Sequence, residues 1–185
     1  MDCNPKSDVS RKSTFLLELN FNSKPKTRNF LVLYIFRLSS YGENEVIKER
    51  NIETARKTFR FLEQRRLKEF SELFAENGKW IYPYHSGLFP KETLGQKEIY
   101  KGIQTAASNF TKIQFPIDEI LPFEDPNKIA VKLTGKLLLK NGSGTYENEY
   151  FAIFSFDEEG KIEEWIEYYN PIIAAKAFGL MNKIK

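Results

Sequence analysis

The feature that most constrains the fold is a series of strand-like segments between Thr111 and Asn170. Apolar and polar residues alternate through them, which is the pattern of half-buried strands. The four predicted strands run through Ile113–Leu121, Ile129–Leu139, Tyr146–Phe156 and Ile162–Tyr169. The turn-forming residues between them lie at 124–127, 141–144 and 157–160. Because tight turns join antiparallel neighbours, the sequence predicts a largely antiparallel sheet.

Three segments that precede these strands have the apolar spacing of amphipathic helices. The predicted helices cover Val46–Arg66, a shorter stretch from Leu67 to a cap at Asn77-Gly78, and Gln96–Asn109. An aromatic strand, Trp80–Tyr84, and a loop, His85–Gly95, separate the last two helices, and a fourth helix follows at Ile172–Phe178. This order favours the α+β class, with helices packed on one face of a strongly bent sheet. A bent sheet that helices cover only in part retains a cavity, the usual ligand site.

The first 45 residues read as an extension of the domain. The apolar run Phe30–Phe36 has seven residues, too few to cross a membrane, and Asn29–Leu38 is a possible strand. The extension is a disordered tail, an added strand or sequence upstream of the natural start. The predicted organisation is an extension at 1–45, one domain at 46–180 and a tail at 181–185.

Composition and charge exclude several classes of partner. Residues 1–50 contain nine Lys and Arg against six Asp and Glu, and residues 51–185 contain nineteen of each. The domain therefore has no basic excess for nucleic acid, and we expect no nucleic-acid or membrane partner. The single cysteine, Cys3, fits a reducing compartment, so we expect a cytoplasmic protein. The sixteen Phe and nine Tyr predict an aromatic interior or cavity.

The last strand carries the main candidate for chemistry. Side-chain alternation places Trp165, Glu167 and Tyr169 on one face. If that face borders the cavity, burial among aromatic side chains raises the pKa of Glu167 toward neutrality and suits it to proton transfer. The alternative is a structural carboxylate.

The opposite face of the last strand carries Ile162, Glu164, Ile166 and Tyr168. Because an exposed apolar sheet face usually contacts a partner, this face predicts a homodimer.

Two further polar residues follow from the predicted pairing. If Phe156 pairs with Lys161, Tyr150 lies opposite Glu167 and Asn148 opposite Tyr169. Tyr150 then donates a hydrogen bond to a substrate oxygen and Asn148 helps to orient it, unless both only pack in the core.

His85 is the only histidine, which makes it a candidate acid or base, although a lone loop histidine is more often solvated. A second imidazole is missing and Cys3 lies in the extension, so we expect no metal site and no cofactor.

The order of several short motifs resembles a known family. These motifs are Glu76-Asn77-Gly78, Tyr82-Pro83-Tyr84 to Phe89-Pro90, Gly95, and Gly160-Lys161-Ile162 through Glu167-Tyr168-Tyr169-Asn170-Pro171. Over residues 47–180 they resemble the SnoaL-like and ketosteroid-isomerase-related branch of the nuclear transport factor 2-like superfamily, and within it the phenazine-biosynthesis A/B-type proteins. The resemblance implies a homodimeric, cone-shaped domain with three helices on the concave side of a mixed or antiparallel sheet.

The same resemblance implies a pocket for a small hydrophobic or aromatic ligand. Glu167 matches a pocket acid of the phenazine-type proteins, whose third helix carries a histidine and a serine where this chain has Gly102 and Ala106. We therefore do not expect the phenazine-forming condensation. Members of the superfamily isomerise, cyclise, dehydrate, condense or only bind, so the resemblance does not select a reaction. Our leading expectation is a cofactor-independent isomerase, cyclase or dehydratase acting on a hydrophobic carbonyl compound, with Trp165, Tyr169, Tyr82 and Tyr84 as ligand contacts. The alternatives are a non-catalytic binding domain and a protein-interaction module.

Overall fold

A computed structural model describes residues 25–140, 142 and 144–184, with residues 25–40 described by their backbone alone. These residues divide into two units between Gly42 and Glu43, and the site described below lies in the second. Among the helices described, none is long and apolar enough to cross a membrane. The cytoplasmic location and the domain boundaries at 46 and 180 stay predictions.

The first helix, α1 (Pro25–Glu63), contributes its residues from Glu43 onward to the second unit. The other α-helices of that unit are α2 (Leu67–Ser71), α3 (Gln96–Ala107) and α4 (Pro171–Phe178), and a 3-10 helix follows at Met181–Lys183. The strands are β1 (Phe74–Ile81), β2 (Glu92–Leu94), β3 (Phe110–Gln114), β4 (Ile117–Pro122), β5 (Lys128–Leu139), β6 (Thr145–Phe156) and β7 (Ile162–Tyr169). The predicted α+β class is confirmed.

The strands form a seven-stranded mixed sheet in the order β2-β1-β7-β6-β5-β3, with β4 also paired to β5. β1 runs parallel to β7, and the other pairs are antiparallel. Because β3 and β4 pair with different parts of β5, that end of the sheet bends strongly. The result is the curled, cone-like sheet that was expected, with one concave face.

An aromatic core fills the narrow part of the concave face. Phe59 of α1 packs edge-on against Trp165 of β7, at a ring-centroid distance of 5.7 Å. Trp165 stacks on Trp80 of β1 with centroids 4.4 Å apart, and Phe70 of α2 contacts both indoles. Such pairs add stability beyond their buried area. The helices therefore seal one end of the curled sheet.

The boundary between the second helix and the first strand was predicted wrongly. α2 ends at Ser71, and Phe74 and Asn77-Gly78 belong to β1. The pairing of β1 with β7 shifts between Phe74 and Lys79. This irregularity accommodates Gly78, whose missing side chain lets β1 approach β7 closely. An isolated Asn-Gly pair thus marks an irregular strand here and not a helix end.

Two other strand predictions were wrong. The segment Ile113–Leu121 contains parts of two strands, β3 and β4, separated at Phe115-Pro116. The stretch Asn29–Leu38 lies within α1, because a short apolar run has no periodicity that separates a strand from a helix.

The register between β6 and β7 also differs from the prediction. Phe156 pairs with Ile162, Tyr150 with Tyr169, and Ala152 with Glu167. The pairing shifts between Ser155 and Phe156, which makes Glu163 an extra residue of β7. Compared with the predicted register, the partner of each β6 residue beyond the bulge lies two residues later in β7: Tyr150 pairs with Tyr169 and not with Glu167. Because side chains alternate with a period of two, Tyr150 and Glu167 still share a face. Ile162, before the bulge, is buried in the core and not on the outer face.

Candidate active site

The wide part of the concave face encloses a cavity of about 530 Å³. Its wall combines α3, the sheet interior, the loop after β1 and the segment after α4. The aromatic lining residues are Phe59, Trp80, Tyr82, Phe89, Phe110, Phe115, Tyr146, Tyr150, Trp165, Tyr169 and Phe178. Gly102 and Ala106 of α3 also line the cavity, which makes this part of the wall apolar. The volume suits a small organic molecule.

Glu167 is the one acidic or basic side chain among the described residues that line this cavity. It lies on β7 between Trp165 and Tyr169, as the alternation predicted. Burial raises the pKa of Glu167 from 4.5 to about 8, and the Trp80 indole N–H opposes that rise. Trp80 Nε1 makes no hydrogen bond of normal geometry to any described residue, so burial dominates. The half-buried carboxyl borders the cavity and is largely protonated at neutral pH.

Four tyrosines surround this carboxyl. Burial raises the pKa of Tyr82, Tyr146, Tyr150 and Tyr169, and the nearby Glu167 raises each of these pKa values further. All four hydroxyls therefore stay protonated and act as hydrogen-bond donors at any ordinary pH. The site thus presents hydroxyl donors and one acid, with no cation among the described lining residues.

Three buried donors in this region have no partner among the described residues: Trp80 Nε1, Trp165 Nε1 and the Tyr169 hydroxyl. A buried donor without a partner costs about 1–3 kcal/mol. All three belong to residues that line the cavity around Glu167. Unsatisfied polar groups of this kind are typical of functional sites, where a ligand or an ordered water completes the hydrogen bonding.

A second set of polar side chains lies in the N-terminal half of β6. The Tyr146 and Tyr150 hydroxyl oxygens are 2.8 Å apart, and Asn148 Nδ2 donates to the Tyr146 hydroxyl at 2.9 Å. Asn148 Nδ2 also donates to the Asn170 carbonyl at 2.9 Å. Asn170 in turn accepts from the backbone of Ile172 and so caps α4. The chain of hydrogen bonds connects the helix cap with the cavity wall.

The structure brings five of the eight predicted site residues to the cavity: Glu167, Tyr150, Trp165, Tyr169 and Tyr82. Asn148 is not in the lining and reaches the cavity only through Tyr146 and Tyr150. His85 and Tyr84 lie in the loop after β1 but outside the cavity. His85 Nδ1 accepts a hydrogen bond from the Gly87 amide at 3.2 Å, and Tyr84 is exposed and packs on Tyr168.

Several lining residues were not selected from the sequence. Tyr146 shares the inward face of β6 with Asn148 and Tyr150, so alternation alone identifies it. Trp80 is brought beside Trp165 by the parallel pairing of β1 and β7, which connects segments far apart in the chain. Phe178, after the last strand, closes the wall by packing on Phe110. No local pattern signals these long-range contacts.

A larger groove of about 670 Å³ lies on the outer face of the sheet. Its wall includes Lys132, Glu149, Phe151 and Tyr168, and it shares Tyr150 and Tyr169 with the cavity wall. Although it is larger, the groove is a weaker candidate for the active site than the cavity, because it is more open and does not contain the Glu167 carboxyl. The perturbed acid and the unpartnered donors belong to the cavity.

A family model for the SnoaL-like domain matches residues 55–165 of this sequence, well over half of its 185 residues. The chain belongs to the SnoaL-like domain family. The match spans α3 and most of the sheet, including Trp80, Tyr150 and Trp165, and ends two residues before Glu167. The expected fold of the nuclear transport factor 2-like superfamily is therefore confirmed.

Three proteins similar to this SnoaL-like chain have low sequence identity to it. The protein YesE of Bacillus subtilis is 24% identical over 131 residues, which cover 71% of this chain and 88% of YesE. The phenazine biosynthesis-related protein PhzB2 of Pseudomonas aeruginosa has a similar structure, with a TM-score of 0.63, 22% identity, and coverage of 76% of this chain and 92% of PhzB2. The BvnE pinacolase of Penicillium brevicompactum has a TM-score of 0.62 and 18% identity, with coverage of 74% and 96%. At these identities the likeness shows the fold.

Proposed function

We propose that this SnoaL-like protein is a cofactor-independent isomerase, cyclase or dehydratase that acts on an uncharged, hydrophobic carbonyl compound. The observation that carries the proposal is the position of Glu167, a carboxyl with a raised pKa in an aromatic cavity. The structurally similar BvnE is a pinacolase, which supports an enzymatic role for this fold. Fold alone does not select a reaction, so the proposal rests on the carboxyl.

Glu167 begins the reaction as an acid. With a pKa of about 8, it is protonated in roughly ten molecules for each ionised one at pH 7. It donates its proton to the substrate at one atom, and the carboxylate that forms takes a proton from another atom of the substrate. In a dehydration the first proton goes to a leaving hydroxyl, which departs as water. In each case the acid is regenerated without a co-reactant.

The donors around Glu167 support a carbonyl substrate. The Tyr150 hydroxyl lies in the cavity wall and stays protonated, because burial raises its pKa well above 10. A neutral hydroxyl of this kind donates to a carbonyl oxygen and stabilises negative charge that develops there. Because the described lining residues include no Lys, Arg or His, an anionic ligand gains no ion pair to offset its lost hydration.

The test uses a substrate found by screening uncharged aromatic ketones, hydroxyketones and epoxides for turnover. Glu167→Gln should lower kcat by about 100-fold or more, the usual contribution of a positioned acid, while KM changes little. Glu163→Gln, at an exposed carboxylate four residues earlier in β7, is the matched control and should keep full rate. The wild-type kcat should fall above pH 8, as the acid ionises. Full turnover by Glu167→Gln would disprove the assignment. Screened compounds that bind the wild-type protein, none of which is turned over, would favour a non-catalytic binding domain.

We also propose that the protein is a homodimer that pairs through the outer face of the sheet. Phe151 of β6 is 40% exposed there, and Ile166 and Tyr168 of β7 are half-buried beside it. Exposed apolar side chains of this kind, next to charged ones such as Lys132 and Glu149, are typical of a protein–protein contact.

A further inference from the structure

The side chain of Asn148 is buried, with 2% of its surface exposed, and all of its polar atoms are used. Oδ1 accepts from the Asn170 backbone N–H at 3.2 Å. Nδ2 donates to the Asn170 carbonyl and to the Tyr146 hydroxyl, both at 2.9 Å. Because a backbone N–H can only donate, it fixes which end of the amide is oxygen. The group that faces Tyr146 is therefore the NH₂ donor.

That donor determines how the Tyr146 hydroxyl is used. Tyr146 accepts from Asn148, and its own proton then needs an acceptor. Among the described residues, the acceptor within hydrogen-bond distance is the Tyr150 hydroxyl oxygen at 2.8 Å. In the reverse direction the Tyr146 proton would have no acceptor among the described residues and would need a ligand or water in the cavity, which Tyr146 also lines; without one, the unpaired proton would cost about 1–3 kcal/mol.

The direction matters because Tyr150 borders the cavity beside Glu167. If Tyr146 donates to Tyr150, the Tyr150 proton is free for a ligand oxygen in the cavity. If the direction were reversed, that proton would be withheld. Donation to the Tyr150 oxygen also polarises its O–H bond and strengthens it as a donor.

We propose that Asn148 is a positioning residue that sets the hydrogen-bond direction Asn148 to Tyr146 to Tyr150, so that Tyr150 presents its hydroxyl proton to the ligand. This goes beyond the proposed function, because it assigns a role to a side chain outside the cavity. It rests on that function only for the identity of the ligand.

The first test needs no ligand. In protein labelled with ¹³Cζ-tyrosine, the deuterium isotope shift at Cζ measures exchange of each hydroxyl proton with water. The Tyr146 proton should be protected and the Tyr150 proton should exchange at least about 10-fold faster. In Asn148→Asp, an ionised carboxylate offers Tyr146 an acceptor, so both protons should become protected. Fast exchange at Tyr146 with protection at Tyr150 in the wild type, or unchanged rates in Asn148→Asp, would overturn the proposal.

The second test is a double-mutant cycle with a neutral aromatic ketone, 2-acetylnaphthalene, as the probe. Binding is followed by tryptophan fluorescence, and donation to the ketone by its infrared carbonyl stretch. Tyr150→Phe should weaken binding by about 3–10-fold and move the stretch to higher frequency, and Asn148→Asp should do the same. In the Tyr150→Phe background, Asn148→Asp should add nothing. Equal weakening in both backgrounds would show a merely structural role and overturn the proposal.

Two variants complete the design. Asn77→Asp makes the same chemical change at an exposed position of β1 and should leave exchange and binding unchanged. If Asn148→Asp does not fold, Asn148→Leu replaces it: it neither donates nor accepts, and the Tyr150 proton should then exchange about 2–3-fold more slowly, as the two directions mix. Loss of turnover in Glu167→Gln tests the proposed function separately, because Glu167 makes no hydrogen bond in the chain from Asn148 to Tyr146 and Tyr150.

Discussion

Glu167 is surrounded by hydrogen-bond donors but by no cation among the described lining residues, and this should reduce stability at alkaline pH. The unfolded chain releases the proton near pH 4.5, whereas the folded protein keeps it to about pH 8. Between these values the folded state binds more protons, so stability falls as pH rises. The stabilising effect is complete below pH 4.5 and is lost as pH passes 8.

The first prediction is that Glu167→Gln is more stable than the wild type at pH 9. The full pKa shift, 4.5 to about 8, corresponds to about 5 kcal/mol. We expect a gain on the order of 2–4 kcal/mol, because part of the side chain faces the cavity, and little gain at pH 5. Urea unfolding at the two pH values measures it. Glu163→Gln should show no such pH dependence, and a Glu167→Gln gain that is equal at both pH values would contradict the burial argument.

The second prediction compares two buried tyrosine hydroxyls. The Tyr146 hydroxyl makes two hydrogen bonds, whereas that of Tyr169 has no partner among the described residues. Tyr146→Phe should lower the free energy of unfolding by about 1–2 kcal/mol. Tyr169→Phe, the matched change, should be neutral or stabilising. The same loss in both variants would show that the Tyr169 hydroxyl is satisfied in solution.

At the scale of elements, the approach of β1 to β7 depends on Gly78. A Cβ at that position would lie 2.7 Å from the carbonyl oxygen of Ile162. Gly78→Ala should therefore lower the free energy of unfolding by about 1–3 kcal/mol. Gly102→Ala in α3 is the control, because a Cβ there has no atom within 4 Å among the described residues and the helix should gain up to about 1 kcal/mol. Thermal unfolding that ranks the two variants in the opposite order would contradict this packing.

Long elements with clear periodicity were the predictable ones. β7 has the predicted bounds of Ile162 and Tyr169, and α3 starts at Gln96 as its apolar spacing indicated. Alternation along β7 also gave the inward face of Glu167. The register was not predictable, because the bulge at Glu163 depends on how β6 and β1 pack around β7 and leaves no local signal. The contacts of Trp80 and Phe178 were not predicted for the same reason, because only the folded, curled sheet brings these side chains to the cavity.

At the scale of the whole molecule, the outer face of the sheet should hold two copies together. Light scattering at micromolar concentration should give the mass of a dimer. Phe151→Lys places a charge on the apolar face and should shift the equilibrium toward monomer, whereas Leu94→Lys, at an exposed leucine of β2, should not. A monomer mass for the wild type would reject the dimer and leave the cavity as a property of one chain.

The proposed acid chemistry depends most on the environment of one carboxyl. The δ-carbon of Glu167, assigned by comparison with Glu167→Gln in protein labelled with ¹³C-glutamate, reports its ionisation directly by NMR. Its titration should have a midpoint near pH 8, as burial in the cavity requires. A midpoint near 4.5 would show a hydrated carboxylate and contradict the proposed acid.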